Sequence, residues 1–186
     1  MKHRTSRQRL GPRPSVADPR PHLLRAVLAF VRAARSTQGV RRIALIGSLA
    51  TDTPVPKDAD VLVIIDATMD LDPLARLGRR LKGSAQTINL GADIFLADQA
   101  DRYLGRICHY RDCHPRVACR ALSCGRRQHL NDDLQIVTLS QALITAPLID
   151  LWPLIVARCA VPLDTQALLV AKLEEAALSH RSVESP

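Results

Sequence analysis

The segment that most constrains the fold is residues 58–65, DADVLVII, which joins two aspartates to a run of aliphatic side chains. Such a run is typical of a buried β-strand. Side chains two positions apart on a strand point to the same face, so Asp58 and Asp60 lie side by side. Neighbouring carboxylates repel each other, and the pair is costly unless cations neutralise it. Hard divalent cations do this, and Mg²⁺ typically combines a few carboxylates with substrate phosphates.

The segments around this strand predict an α/β (α+β) domain, with a small mixed β-sheet flanked by helices. Apolar side chains at three- and four-residue spacing indicate the helices, and alternating or continuous apolar runs indicate the strands. The predicted elements are a helix that begins at Asp18-Pro19 and extends to Ala34, a strand over 43–46 that ends in a turn at Gly47-Ser48, the strand over 58–65, a helix that begins at Asp72-Pro73 and ends at Gly83, a strand over 87–96, a further strand over 134–139, and a C-terminal helix capped by Asp164.

Composition excludes several classes of protein. A chain of 186 residues fits one domain with extensions, and 47% hydrophobic residues is ordinary for a soluble globular protein. No apolar run approaches the roughly 18 residues that span a bilayer, and no hydrophobic signal segment follows the start. We therefore expect no membrane association and a cytoplasmic location. Aromatic residues, 3% of the chain, are too few for a stacking platform that binds single strands.

Positive charge is concentrated in two places. Residues 1–20 hold six Lys/Arg and one acid, and residues 102–129 hold seven Lys/Arg and one acid. The first segment has three prolines and few apolar side chains, so it is predicted to be a disordered basic tail. The second segment is expected either to attract polyanions such as nucleotides or nucleic acid, or to be a solvated basic loop. The predicted organisation is a tail over 1–20, an α/β core over 21–104, a Cys/His-rich basic segment over 105–133 and a mainly helical region over 134–186.

A third carboxylate, Asp93, lies on the polar face of the strand predicted after the second helix. It completes a cluster with Asp58 and Asp60 if the two strands are neighbours. In the competing interpretation the first two are solvated acids at the end of a loop, and Asp93 lies at an exposed sheet edge. The turn at Gly47-Ser48 favours the cluster, because Gly permits a close backbone approach to a phosphate and Ser supplies a hydroxyl.

The run IALIGSLATDTPVPKDADVLVII resembles the signature of the nucleotidyltransferase superfamily that includes polymerase beta, CCA-adding enzymes and aminoglycoside nucleotidyltransferases. That signature is an apolar strand, Gly-Ser, a short spacer, Asp-apolar-Asp-apolar, and a third carboxylate on a later strand. Here nine residues separate Gly-Ser from Asp58, and the later strand offers the aspartate of GADIF. The resemblance covers residues 21–100. Where many small members have a second Gly and a Ser before the first Asp, this chain has Thr51-Asp52 and Lys57.

The resemblance implies a two-metal reaction in which an NMP passes from an NTP, ATP among the candidates, to an acceptor hydroxyl. The Gly-Ser turn would hold the triphosphate. Two of the carboxylates would bridge both Mg²⁺ ions, and the third would ligate the ion nearer the acceptor and help to deprotonate its hydroxyl. Lys57 would reach a phosphate, or else is a solvated loop lysine. The implied site residues are Gly47, Ser48 and Lys57 for the nucleotide, and Asp58, Asp60 and Asp93 for Mg²⁺ and catalysis.

Four of the five cysteines fall within residues 105–133, together with three histidines. Their spacing, C-x4-C-x5-C-x4-C, is compatible with a tetrahedral Zn²⁺ site but lacks the C-x2-C knuckle of the usual zinc motifs. Disulfides, redox thiols and plain reduced packing are open alternatives, and the absence of C-x-x-C argues against a thiol redox enzyme. The candidate zinc ligands are Cys108, Cys113, Cys119 and Cys124.

Two functions from different classes follow from these observations. The first is a Mg²⁺-dependent nucleotidyltransferase whose acceptor is a small molecule, an RNA end or a protein side chain. The second is a catalytically inactive module of the same fold that binds nucleic acid or a protein partner through its basic Cys-rich segment, with an affinity that falls as salt rises. The sequence alone does not choose the acceptor or the base.

Overall fold

One sheet organises the part of the chain that the computed structural model describes, residues 18–108, 130–131 and 138–181. Its strands are β1 (Val40–Ile46), β2 (Asp58–Ile65), β3 (Gly91–Asp98), β4 (Tyr103–Ile107), β5 (Leu130–Asn131), β6 (Ile149–Trp152) and β7 (Val156–Ala157). They lie in the order β5-β4-β3-β2-β1-β6-β7. β2 and β3 are parallel, and every other neighbouring pair is antiparallel. The sheet is therefore mixed, as predicted, with a two-residue strand at each edge.

The helices of the described ranges are α1 (Arg20–Ala34), α2 (Leu71–Gln86), α3 (Gln141–Thr145), α4 (Leu163–Thr165) and α5 (Ala171–Arg181). A π-helical segment, Gln166–Val170, joins α4 to α5, and a 3₁₀ turn, Gly47–Ala50, follows β1. None of the helices in these ranges is long and apolar enough to span a bilayer.

The larger hydrophobic cluster lies between one face of the sheet and the helices α1, α2 and the C-terminal helical segments. Period-2 alternation decides which strand residues enter it. On β2 these are Ala59, Val61, Val63 and Ile65, and on β3 they are Ala92, Ile94 and Leu96. The β3 residues lie on the face opposite Asp93, as the alternation over 87–96 predicts.

The opposite face of the sheet is divided into an apolar end and an acidic end. At the apolar end, Leu62, Ile64 and Phe95 form a smaller buried cluster with Ile144 of α3. Arg42 of β1 fixes that helix by donating to the carbonyls of Thr145, at 3.4 Å, and Ile144. β2 therefore changes from polar to apolar along this face: it begins with aspartates and continues with buried leucine and isoleucine.

The predicted starts of both long helices are wrong by one or two residues. α1 begins at Arg20, which the sequence assigns to the basic tail, and the Asp18 carboxylate accepts a hydrogen bond from the Arg20 amide at 3.0 Å. α2 is capped by Asp70, not by Asp72, whose own amide donates to the Asp70 carboxylate. In both cases an Asp two residues earlier in the chain satisfies an amide at the helix start.

Three predicted boundaries also change. α2 continues through Gly83 to Gln86, and β3 begins at Gly91 instead of residue 87. In the predicted strand over 134–139, residues 138 and 139 are in no strand, and residues 134–137 lie outside the described residues, as do residues 1–17 of the predicted tail. Gly83 does not end the helix because nothing at this exposed position requires a left-handed backbone.

Replacing Gly83 with alanine should stabilise the protein. A Cβ added there meets no atom within 4 Å, and glycine inside a helix costs roughly 0.5–1 kcal/mol relative to alanine. We expect Gly83→Ala to raise the free energy of unfolding by about that amount, measured by urea denaturation. A loss of stability would instead mean that the helix ends at this residue.

Candidate active site

The parallel pairing of β2 with β3 brings the predicted carboxylates to one edge of the sheet. Asp60 lies opposite Asp93 in the register, and Asp58 lies opposite Gly91. The two strands are thus neighbours, which the sequence left open. Ala59 and Ala92 point into the helical core, so the three carboxylates share the other face. The helix α3 covers the apolar end of that face and leaves this end to the polar groups.

The three carboxylates lie close together but turn toward different neighbours. A Cβ placed on Gly47 would lie 2.4 Å from Oδ2 of Asp60, and one placed on Gly91 would lie 2.1 Å from Oδ1 of Asp58. Asp93 instead accepts a hydrogen bond from Nη1 of Arg106 at 3.0 Å. Like charges separate where the surroundings permit it, and the two glycines supply the space.

Burial and charge raise the pKa of Asp60 to about 7. The largest cause is the loss of water around the carboxylate, followed by the negative charges of Asp58 and Asp93, while the positive charge of Arg106 acts in the opposite direction. Repulsion inside the cluster is therefore only partly compensated by this chain's own groups. A cation bound among the carboxylates would neutralise the remaining repulsion between them.

The donor set suits Mg²⁺ in chemistry, because carboxylate oxygens are its preferred protein ligands. Across the described residues, however, no group of three His, Cys, Asp or Glu side chains already converges on a point where a metal ion would be held. The splaying of the carboxylates accounts for this, since Asp58 lies against Gly91 and Asp93 is engaged by Arg106. A Mg²⁺ site at this cluster stays a prediction.

The turn after β1, which contains Gly47 and Ser48, brings Gly47 beside Asp60. Gly47 has φ +70°, a left-handed conformation that favours glycine, and its missing side chain leaves room for Asp60. The Ser48 carbonyl is engaged by Arg20 and Thr51, but no hydrogen bond to the Ser48 hydroxyl is found within the described residues. A contact between the Ser48 hydroxyl and a phosphate stays a prediction.

A buried arginine, Arg20, holds this turn in place. Arg20 is only 7% exposed. Because arginine is rarely buried without partners, its guanidinium must be hydrogen-bonded inside the protein. The guanidinium is accommodated because it donates to four backbone carbonyls of this turn and of the loop after it. These are the carbonyls of Ser48 (3.1 Å), Leu49 (3.3 Å), Thr51 (3.0 Å) and Thr53 (2.9 Å).

The start of the C-terminal helical region completes the Arg20 contacts. Asp164 accepts from Nε of Arg20 at 2.6 Å, and this hydrogen bond is the main reason that the pKa of Asp164 lies below its ordinary value. Thr165, fully buried, donates its hydroxyl to the Leu49 carbonyl at 2.8 Å. The turn is thus fixed by α1 on one side and by α4 on the other.

For Lys57 and the four candidate zinc ligands, the structure does not test the predicted role. Lys57 is exposed directly before Asp58, and its carbonyl accepts from the Gly91 amide at 3.1 Å, which extends the β2–β3 ladder. Its ammonium therefore remains a predicted phosphate contact. Cys108 is buried, whereas the other three candidate zinc ligands, Cys113, Cys119 and Cys124, lie outside the described residues. The zinc prediction stays a prediction.

Sequence reasoning missed two residues of the site, Arg20 and Arg106. The partners of the Arg20 guanidinium are 28 to 145 positions away, so no local pattern could reveal them. Arg106 gave a weak signal: it is the polar position of the short strand YLGRI, but we counted it only as part of a basic segment. Its relation to Asp93 depends on the register of β4 against β3.

Known proteins offer no independent assignment of this site. No family model matches the chain, and neither the curated proteins nor the solved structures give a significant match. The site is therefore defined by its own geometry: three carboxylates on one sheet face, a Gly-Ser turn beside them, and an arginine paired with one carboxylate.

Ionisation of Asp60 should destabilise the metal-free protein. Folding raises its pKa from 3.8 to about 7, so between those values the native state binds more protons than the unfolded chain, and stability falls as pH rises. The penalty is absent below about pH 4 and complete above about pH 7. Asp60→Asn removes it and should raise the free energy of unfolding above pH 7 by on the order of 1–3 kcal/mol, allowing for partial exposure to water.

Urea denaturation with a chelator present, at about pH 4 and about pH 8, measures this difference between variant and wild type. Asp52→Asn, in the exposed loop before β2, is the control and should follow the wild type. An Asp60→Asn protein whose stability relative to wild type is the same at both pH values would contradict the electrostatic account.

Loss of the Arg20 guanidinium should destabilise the protein strongly, because it leaves a partly buried carboxylate and several carbonyls without their partner. We expect Arg20→Met to cost about 3–5 kcal/mol in urea denaturation. Thr165→Val, which removes one buried hydroxyl, should cost about 1–2 kcal/mol. Arg32→Met is the control, since exposed Arg32 donates one hydrogen bond, to the Lys172 carbonyl, and should cost at most about 0.5 kcal/mol. Equal losses for Arg20→Met and Arg32→Met would refute the assignment.

Proposed function

We propose that this protein is a Mg²⁺-dependent nucleotidyltransferase that moves an NMP from an NTP to an acceptor hydroxyl. The observation that carries the proposal is the register of β2 and β3, which pairs Asp60 with Asp93 on the sheet face opposite the helical core. Asp58 lies on the same face, and the Gly47 turn meets the cluster at the end of β1. The resemblance of residues 43–65 to the nucleotidyltransferase signature supports the same function.

The three carboxylates, Asp58, Asp60 and Asp93, are the side chains that would hold the two Mg²⁺ ions. Mg²⁺, when bound, supplies neutralisation of the charge on the transferring phosphoryl group. In this proposal Asp93 also takes the proton of the acceptor hydroxyl, which turns that oxygen into a nucleophile. The new bond joins the acceptor oxygen to the α-phosphorus, and pyrophosphate leaves.

The turn after β1 is the proposed triphosphate site. The Ser48 hydroxyl donates to a phosphate oxygen, and Gly47 lets the backbone approach without a side chain in the way. The hydrogen bonds from Arg20 support this role because they hold the turn rigid before the nucleotide arrives, and preorganised donors lose little entropy on binding. Lys57, exposed at the start of β2, is the proposed contact for an outer phosphate.

The proposal specifies the acceptor only by its chemical class, a hydroxyl group. A hydroxyl on a small molecule, on an RNA end or on a protein side chain would serve equally in this chemistry. The alternative function is an inactive module of the same fold that binds nucleic acid or a protein partner. One observation favours it: Asp93 is held by Arg106, and the carboxylates are not gathered around one point.

Mg²⁺-dependent binding of the four NTPs, measured by calorimetry, tests the proposal. We expect the wild type to bind at least one Mg·NTP and Asp58→Ala/Asp60→Ala to lose binding by roughly 10²-fold or more, because the charge that holds the metal is gone. Asp52→Asn is the control, since Asp52 is an exposed acid in the loop before β2, and should bind like the wild type.

Transfer of labelled NMP to RNA ends, to candidate small molecules or to protein then identifies the acceptor. Binding that needs neither the metal nor the two aspartates would reject the proposed site. No binding of any NTP to the wild type would reject the enzyme and favour the inactive module.

A further inference from the structure

A cation of this chain already lies within the acidic cluster. Nη1 of Arg106 is 3.0 Å from Oδ2 of Asp93, and the two side chains are 23% and 25% exposed. The ion pair is therefore partly shielded from water, where charge interactions are stronger than at the surface. The positive charge of Arg106 also acts on Asp60, one strand further along.

The sheet register explains how Arg106 reaches the cluster. Arg106 lies opposite Phe95 in the antiparallel β3–β4 pair, and Phe95 is two residues after Asp93 on the same strand face. A diagonal neighbour of this kind is within reach of a long side chain. The guanidinium thus approaches Asp93 from the β4 side, and Asp60 flanks the same carboxylate from the β2 side.

We propose that Arg106 is an exchangeable counter-cation of the candidate active site: it holds Asp93 until a divalent cation binds, and the released guanidinium then binds a phosphate of the nucleotide. This inference rests on the proposed function. The exchange matches each charged group with a better partner, since Mg²⁺ prefers carboxylate oxygens and the planar guanidinium fork suits phosphate oxygens.

The exchange makes cation binding and nucleotide binding depend on each other. A cation alone must displace Arg106 from Asp93, so it binds weakly. A nucleotide that takes up the guanidinium removes this competition, and the two ligands therefore bind with positive coupling. A residue that only stabilised the fold would not produce that pattern, because its loss would weaken both ligands together.

Arg106→Gln should change the two affinities in opposite directions. Mn²⁺ binding to the full chain without nucleotide, followed by the EPR signal of the free ion, should become roughly tenfold tighter. Binding of Mg·ATP, by calorimetry at saturating Mg²⁺, should become roughly tenfold weaker. Arg102→Gln is the matched control: Arg102 is 78% exposed and pairs with Asp98 at the far end of β3, so both affinities should stay as in the wild type.

The outcomes separate this inference from the proposed function. If the wild type binds and uses Mg·ATP but Arg106→Gln does not tighten Mn²⁺ binding, the exchange is overturned and the function stands. If Arg106→Gln tightens Mn²⁺ binding while neither protein binds any NTP, the counter-cation role stands, and the phosphate contact and the enzyme are overturned. Arg106→Lys keeps the positive charge and should bind Mn²⁺ as weakly as the wild type, which excludes an effect of misfolding.

Discussion

The parallel pairing of β2 with β3 determines where the three carboxylates of the candidate site lie. Parallel neighbours cannot be joined by a hairpin, so the chain must cross the sheet, and α2 makes that crossing over the helical core. After this crossing, the first residues of β3 lie beside the first residues of β2, at the same edge of the sheet. β1, antiparallel to β2, brings its own end and the Gly47 turn to that edge.

This geometry holds three carboxylates close together, and the strand register keeps the backbone from moving them apart. Asp60 and Asp93 are register partners, so only side-chain rotation separates their carboxylates. The fold tolerates the repulsion because the ladder hydrogen bonds and the buried second halves of both strands hold the register regardless of charge. Such a local conflict inside an otherwise consistent fold is typical of a functional site. It also explains why Gly47 and Gly91, which leave room for displaced carboxylates, flank the cluster.

How well the sequence predicts a feature depends on how far apart in the chain the interacting residues lie. The faces of β2 and β3 were predictable, because alternation is read from adjacent residues, and so was the mixed sheet between helices. That Asp93 would join Asp60 required knowing which strands are neighbours, and the sequence supported this only conditionally. Asp70 was missed as a cap because a nearby Asp72-Pro73 gave the same local signal. Arg106 was missed because its position depends on a register that includes a bulge.

Arg20 shows most clearly why composition alone misassigns residues. Counted by charge, it belongs to the basic tail; by contacts, it joins α1 to the turn after β1 and to Asp164. A guanidinium buried among carbonyls has no alternative partner of equal quality, so the turn can shift only if α1 or the C-terminal region shifts with it. The candidate phosphate site is therefore built from three distant parts of the chain. The C-terminal helical region thus helps to hold the turn through the contact of Asp164 with Arg20.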